Sequence, residues 1–345
     1  MPARRYTIAD LRSAERTSGE DFEVVAVLRK CAVRTAKNDN TFLAVELGDR
    51  TGAFSANVFS DNVVAETMRT VAEGSVLRVL GRVEFYQGRF SPKLQQAHPV
   101  DELELVTLGG IEALVEIAPE SIESLRAQLA ALIARITHPP LRRTVELALE
   151  SVGEVFFTAP AAVSMHHAYR SGLLEHTVHV GQACVALLPL YPQVSADLAL
   201  AGILLHDLGK ALEYEGTLAP RKTRTGQLQG HVVLGYRIAR KAAIGAKLES
   251  DLLERLEHII LSHQGELEWG AAINAATPEA VFVSMLDNLD AKMGMVQRAL
   301  RTGGENAAFS EYLPGLKASV LLAAPEFPSA SAVPPHGDEA NPPAP

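Results

Sequence analysis

Apolar positions along the chain follow two rhythms. Up to about residue 106 they fall in short β-rich runs, at 22–28, 41–47, 53–59, 75–85 and 89–94. Glycine-bearing stretches at 48–52, 73–74 and 87–89 lie between these runs and suit tight turns. The stretch 61–71 has helical spacing. From about residue 111 the period lengthens: Ile122, Leu125, Leu129, Leu132, Ile133 and Ile136 recur three and four apart. His138-Pro139-Pro140 interrupts that helix, and further helical patterns occupy 141–150, 172–188, 195–206, 230–244, 250–262 and 278–302.

Five strands with a helix between the third and fourth make the layout of an OB-fold. The expected architecture is two-domain. An extension (1–20) leads into an N-terminal all-β OB-fold barrel (21–108), followed by a C-terminal all-α domain (109–320) and a disordered Pro/Ala-rich tail (321–345). Met285, Met293 and Met295, at helical spacing, read as core.

Composition narrows the class. Hydrophobic residues make up 47% and charged residues 21%, which excludes global disorder. The formal net charge of -9 means that affinity for a polyanion must come from a local basic surface or a bound cation. Cys31 and Cys184 are far apart and form no CxxC pair, so neither a disulfide framework nor a thiolate zinc site is expected. The longest apolar run, 198–205, is too short to span a bilayer, and the N-terminus has no apolar leader. The expectation is a cytoplasmic protein with no membrane partner.

Histidines crowd into the helical half: His166, His167, His176, His179, His206, His231 and His263. An apolar run delivers His206-Asp207-Leu208-Gly209-Lys210, and buried groups of that kind must be paired or bound to metal. Imidazole and carboxylate together suit a divalent ion of the transition series, such as Mn²⁺, better than Ca²⁺. A lone histidine is more often a hydrogen-bonded core or surface residue, the reading given to His98, His138, His179 and His336. Neither a P-loop nor a GxGxxG turn is present.

The pattern resembles the HD superfamily of metal-dependent phosphohydrolases, in which a His, a later His-Asp doublet and a distant Asp hold a metal. His176, His206-Asp207 and Asp287 match those positions. The segments around His166-His167, Gly230-His231, His263-Gln264-Gly265 and Asp287, placed behind an OB-like barrel, are similar to the YhaM-type 3′-to-5′ exoribonucleases over roughly residues 21 to 315.

The resemblance implies one ion on His176, His206, Asp207 and Asp287, with Asp207 central to catalysis. It implies a second ion on Asp207, His231 and His263. The family often has His-His where this chain has His263-Gln264, so the second site lacks an expected ligand, to be completed by His258, water or substrate. Asp287 and Asp290 share a helical face, and the one that is not a ligand can orient a histidine or Lys292. Lys210, one turn beyond His206, is the expected catalytic contact to phosphate. His166, His167, Arg221, Lys222 and Lys292 are candidate substrate contacts.

Residues 21–108 hold ten Lys+Arg against twelve Asp+Glu, so the barrel is no basic module and must bind through a particular face. Of Phe42, Phe54, Phe59, Phe85, Tyr86 and Phe90, the pair Phe85-Tyr86 beside Arg82 and Arg89 is the preferred contact for unpaired bases. The expected function is metal-dependent hydrolysis of single-stranded nucleic acid, RNA before DNA, from the 3′ end to nucleoside 5′-monophosphates. The alternatives are an HD phosphodiesterase or nucleotidase for small nucleotides, and a non-catalytic single-strand-binding protein.

Overall fold

The computed structural model describes residues 4–12, 17–36, 39–87, 89–162, 169–216, 218–302 and 307–324. Its N-terminal part comprises β1 (Arg4–Arg5), α1 (Ile8–Arg12), β2 (Asp21–Thr35), β3 (Thr41–Asp49), β4 (Gly52–Phe59), α2 (Val64–Thr70), β5 (Val76–Arg82), β6 (Phe85–Tyr86), β7 (Arg89–Phe90) and β8 (Lys93–Pro99). The main sheet runs β4-β3-β2-β5-β8, with every neighbour on that path antiparallel, and β1 adds to β2 in parallel.

Strand β2 pairs with β5 over its first half and with β3 over its second, and a register shift between Leu28 and Lys30 bends it from one partner to the other. Phe22, Val24, Ala26 and Leu28 fill the interior together with Leu43, Val45, Leu47 and, from α2, Val64, Ala65 and Met68. This is the strand and helix order of an OB-like barrel. Ile8 and Leu11 of α1 also enter that core, so part of the expected extension is packed.

The expected strand 89–94 is not one strand. Residues 85–86 and 89–90 make a separate two-stranded hairpin, and pairing with β5 begins only at Lys93. Pro92 has no N–H to give a ladder, which separates the two segments.

Helices follow: α3 (Glu102–Thr107), α4 (Ile122–Ala134), α5 (Pro139–Val152), α6 (Glu154–Thr158), α7 (Gly172–Leu187), α8 (Ala196–Leu205) and α9 (Lys210–Glu213). A hairpin of β9 (Tyr214–Glu215) and β10 (Arg221–Lys222) leads to α10 (Arg224–Gly245), α11 (Ser250–Ser262) and α12 (Pro278–Thr302). The Pro pair that interrupts the helical pattern starts α5: His138 caps it, accepting from the Leu141 N–H at 3.3 Å. The expected loop over 217–229 instead contains β10 and the start of α10, capped by Thr223, whose Oγ1 accepts from Gly226 N at 2.8 Å.

Helix α8 is apolar on every side and is buried from Leu198 to Leu205. The segment Gly172–Leu190 is long and apolar enough to cross a membrane. Here Leu173, Leu174, Val178, Val180 and Cys184 pack into the helical core. Met285 and Met293 are exposed, contrary to the expectation: α12 turns Ala280, Val283 and Leu286 inward, leaving both methionines outside.

A small cluster joins barrel and helices. Val25, Val27, Val76 and Leu114 pack with Leu105, Leu108, Leu218 and Ala219, which sets the β9–β10 turn against the barrel. The chain divides into two compact units, Met1–Gly294 and Met295–Pro345. In the second, the end of α12 is followed by antiparallel bridges between Phe309 and Leu321 and between Leu313 and Ala318. Residues 325–345, most of the expected tail, lie outside the described residues.

Candidate active site

Five helices converge on one carboxylate. Helix α7 supplies His176, and the C-terminal end of α8 supplies His206 and Asp207. Helix α10 supplies His231, the end of α11 supplies His263, and α12 supplies Asp287. The turn after α8 packs so tightly on α10 that a Cβ on Gly209 would lie 2.0 Å from the His231 carbonyl oxygen and 2.5 Å from Gly235 N. Only glycine fits there. Gly230 breaks α10 at φ 70, ψ 161, a conformation L-residues avoid, just before His231.

Ligand atoms of His176, His206, Asp207 and Asp287 all lie within 4.8 Å of one another, and so do those of Asp207, His231 and His263. In the first set His176 Nε2 is 3.2 Å from His206 Nε2 and 3.2 Å from Asp287 Oδ1, and Asp207 Oδ2 is 3.5 and 3.4 Å from the two nitrogens. In the second, Asp207 Oδ1 is 3.6 Å from His231 Nε2 and 3.5 Å from His263 Nε2. Asp207 therefore gives one oxygen to each set. Its Oδ1 is buried with no hydrogen-bond partner. An orphaned carboxylate oxygen facing two imidazoles fits a divalent cation, which would bridge groups that otherwise leave a costly vacancy in their bonding.

Each imidazole is oriented from behind. His176 Nδ1 is 2.7 Å from Asp290 Oδ2, and His206 Nδ1 is 2.6 Å from the Ile203 carbonyl. His263 Nδ1 is 2.7 Å from the Ile260 carbonyl, and His231 Nδ1 is 2.9 Å from Glu213 Oε2. With Nδ1 donating to an oxygen, Nε2 is the ring atom that faces the site. By spacing Asp287 and Asp290 are equivalent ligand candidates, and the resemblance favours Asp287. The structure puts Asp287 among the ligand atoms and Asp290 behind His176. Glu213 was missed, because nothing in its spacing connects it to His231.

Electrostatics favour positive charge at the first set. Burial opposes charge on His206, but the Asp207 and Asp287 carboxylates outweigh it and hold the ring protonated up to about 10. Burial would raise the Asp207 carboxyl, but Lys210 and then His206 keep it well below the usual range. Asp287 is likewise held low against burial by His176 and His206. A site that holds a proton this firmly also attracts a cation, which displaces it. Burial instead depresses His263. Glu213 is brought down to about 2, because His231 and Lys222 outweigh its burial.

Other expected residues are placed as follows. Lys210 is not on a helix continuous with His206: residues 206–209 form a turn, and its Nζ donates to Asp207 Oδ2 at 2.6 Å. Lys222 Nζ lies 2.8 Å from Glu213 Oε1, and Arg221 Nε lies 3.0 Å from Glu215 Oε1. Lys292 is exposed on α12. His258 accepts from Ala276 N at 2.8 Å and so is engaged away from the second set. His166 and His167 lie outside the described residues.

On the barrel, Arg34, Phe42 and Phe59 form one cross-strand row on the outer face of β2–β3–β4, with the two rings 5.8 Å apart. Phe59 is 52% exposed, while Phe54 is buried and Phe90 packs against it. Phe85 and Tyr86, on the β6–β7 hairpin, are 41% and 69% exposed. Arg82 is tied to Asp21 at 2.9 Å, and Arg89 lies on β7.

A buried His/Asp set built on an adjacent His-Asp doublet, with one carboxylate shared between two groups of ligand atoms, defines a metal-dependent hydrolase of the HD class. The HD domain family model matches residues 173–292. The chain is 32% identical over 282 residues to the 3′-5′ exoribonuclease YhaM of Geobacillus sp. (strain WCH70), covering 82% of this chain and 86% of that protein. It is 33% identical over 282 residues to the protein of that name from Bacillus subtilis (strain 168), covering 82% and 88%. The chain belongs to this family, the YhaM 3′-5′ exoribonucleases. A solved replication protein A heterotrimer bound to ssDNA matches 28% of this chain and 70% of its own, at 24% identity and a TM-score of 0.22.

Proposed function

We propose that this chain is a divalent-cation-dependent exoribonuclease that shortens single-stranded RNA from its 3′ end and releases nucleoside 5′-monophosphates. One observation carries the reading: the buried Asp207 carboxylate, with one oxygen in each of two ligand sets and Oδ1 otherwise unpartnered. The polarity and the preference for RNA rest on the family to which the chain belongs. Bound divalent cations supply charge neutralisation at the phosphoryl group and acidify water.

The chain's own residues do the rest. Asp290, Glu213 and the Ile203 and Ile260 carbonyls aim the four imidazoles, so that little reorganisation is needed when phosphate arrives. Lys210 holds positive charge beside Asp207. On the barrel, Phe42 and Phe59 offer stacking surfaces and Arg34 a phosphate contact in the same row. The mixed nitrogen and oxygen donors favour Mn²⁺ or another transition ion over Ca²⁺.

The test is incubation of the full chain with 5′-labelled single-stranded RNA or DNA under Mn²⁺, Co²⁺, Mg²⁺, Zn²⁺ or chelator. The expected result is a ladder of 5′-labelled RNA products shortened one nucleotide at a time, abolished by chelator. Turnover that persists in chelator, or endonucleolytic cuts, would refute the proposal.

A further inference from the structure

Lys222, expected to contact substrate, is bonded instead to a buried carboxylate. Its Nζ lies 2.8 Å from Glu213 Oε1, and Glu213 Oε2 lies 2.9 Å from His231 Nδ1. Glu213 is buried, whereas the Lys222 side chain is half exposed. A carboxylate only accepts, so Nδ1 carries the proton of the bond to Glu213, and in the neutral ring Nε2 is the unprotonated nitrogen. That nitrogen is the one 3.6 Å from Asp207 Oδ1.

A half-exposed lysine is usually a weak anchor, but the strand that carries this one is held at both ends. Lys222 pairs across the β9–β10 hairpin with Tyr214. The next residue, Thr223, donates its N–H to the Glu213 carbonyl at 2.9 Å and its hydroxyl to the Leu212 carbonyl at 2.9 Å. A Cβ on Gly226 would lie 2.3 Å from that Glu213 carbonyl oxygen, so the first turn of α10 closes on the same residue. At the far end of the hairpin, Leu218 and Ala219 pack with Val25, Val27 and Val76 of the barrel. With its backbone placed in advance, Lys222 loses less freedom on pairing than a surface lysine does, and the ion pair is worth correspondingly more.

We propose that Lys222 is a positioning residue of the second ligand set and not a substrate contact: it holds the Glu213 carboxylate against His231 Nδ1, which keeps His231 Nε2 aimed, with Asp207 and His263, at one cation. Without the ammonium group the carboxylate is free to turn away from the ring. The positive charge of Lys222 also opposes a nearby cation, but that charge is half exposed and screened, whereas the orientation acts on the ligand atom itself. Orientation outweighs repulsion. The inference rests on the reading of the cluster as a two-cation centre.

The full chain, stripped with chelator, dialysed and kept free of RNA, is titrated calorimetrically with Mn²⁺. Wild type is expected to bind two equivalents. Lys222→Met should weaken one of them by about 3- to 10-fold, less than Glu213→Gln does, because it acts one bond further from the ring, and the equivalent affected should be the same. The double variant should bind no more weakly than Glu213→Gln alone, since Lys222 acts through that carboxylate. Lys222→Arg, which still donates to Glu213, should bind as wild type does. A circular-dichroism melt confirms that each variant is folded. Mn²⁺ binding unchanged or tightened in Lys222→Met, with a raised KM for RNA, would make Lys222 a substrate contact and overturn the inference. So would losses that add in the double variant or fall equally on both equivalents. A wild type that binds fewer than two equivalents would instead remove the two-cation centre itself, and the inference with it.

Discussion

Asp49 is the one buried charged side chain of the barrel among the described residues, and it is spent on structure. Its Oδ2 accepts from Ile8 N at 2.8 Å and its Oδ1 from Thr51 N at 2.7 Å, which ties α1 to the β3–β4 turn. The helical region buries His176, His206, Asp207, Lys210, Glu213 and His263 around a single point. Burying charge is costly unless it is paired, so such a concentration persists only where the groups neutralise one another or hold a cation. The barrel keeps Arg34, Phe59, Phe85 and Tyr86 in the open, where each contact is small and additive. Damage to the helical site should therefore be close to all-or-none, and damage to the barrel graded.

The largest expected effect is at the shared carboxylate. Asp207→Ala should lower RNA hydrolysis by at least about 10³-fold and abolish Mn²⁺ binding at both sets, with helical circular dichroism retained. A variant that still binds two equivalents of Mn²⁺ would erase the contrast between the regions. Next come the residues behind the ligands. Glu213→Gln should weaken only the second cation and Asp290→Asn only the first, each by about 10- to 100-fold in a calorimetric titration. Equal loss at both steps from either variant would mean that the two sets do not act separately.

On the barrel, Phe42→Ala and Phe59→Ala should each weaken oligonucleotide binding by about 1–3 kcal/mol, read as a raised KM with kcat held. A fall in kcat instead would place these rings in the chemistry. The smallest effect concerns a structural carboxylate of the helical region. Asp197 accepts from Thr137 N and Oγ1 and from His138 N, and although burial raises its pKa, these bonds outweigh it and lower the value. A depressed carboxyl stabilises the fold above its unfolded pKa of about 4, and that contribution is lost as pH falls through the folded value. Asp197→Ala should cost about 1 kcal/mol in urea denaturation at neutral pH and nothing at strongly acid pH.

Much of the architecture was legible because it is periodic. Alternation marked β3 and β4, and spacings of three and four marked α4, α11 and α12. The breaks from expectation are local. The strand expected at 89–94 divides at Pro92, and the polar residues 221–229 enter β10 and α10, the helix starting at a Thr223 cap despite their lack of an apolar stripe. Met285 and Met293 have helical spacing, but spacing alone does not say which face of α12 looks inward.

For the site, a His206-Asp207 doublet delivered by an apolar helix called for a cation, and the resemblance to the HD phosphohydrolases added His176 and Asp287. Which oxygen of Asp207 faces which histidine, that Asp290 and Glu213 stand behind the rings, and that Lys222 pairs with Glu213 were decided only by folding. Spacing along one helix is a property of neighbours in the chain, set by 3.6 residues per turn. That Glu213 stands behind His231 depends on the approach of α9 to α10, which Gly209 permits by letting the turn before α9 touch the α10 backbone.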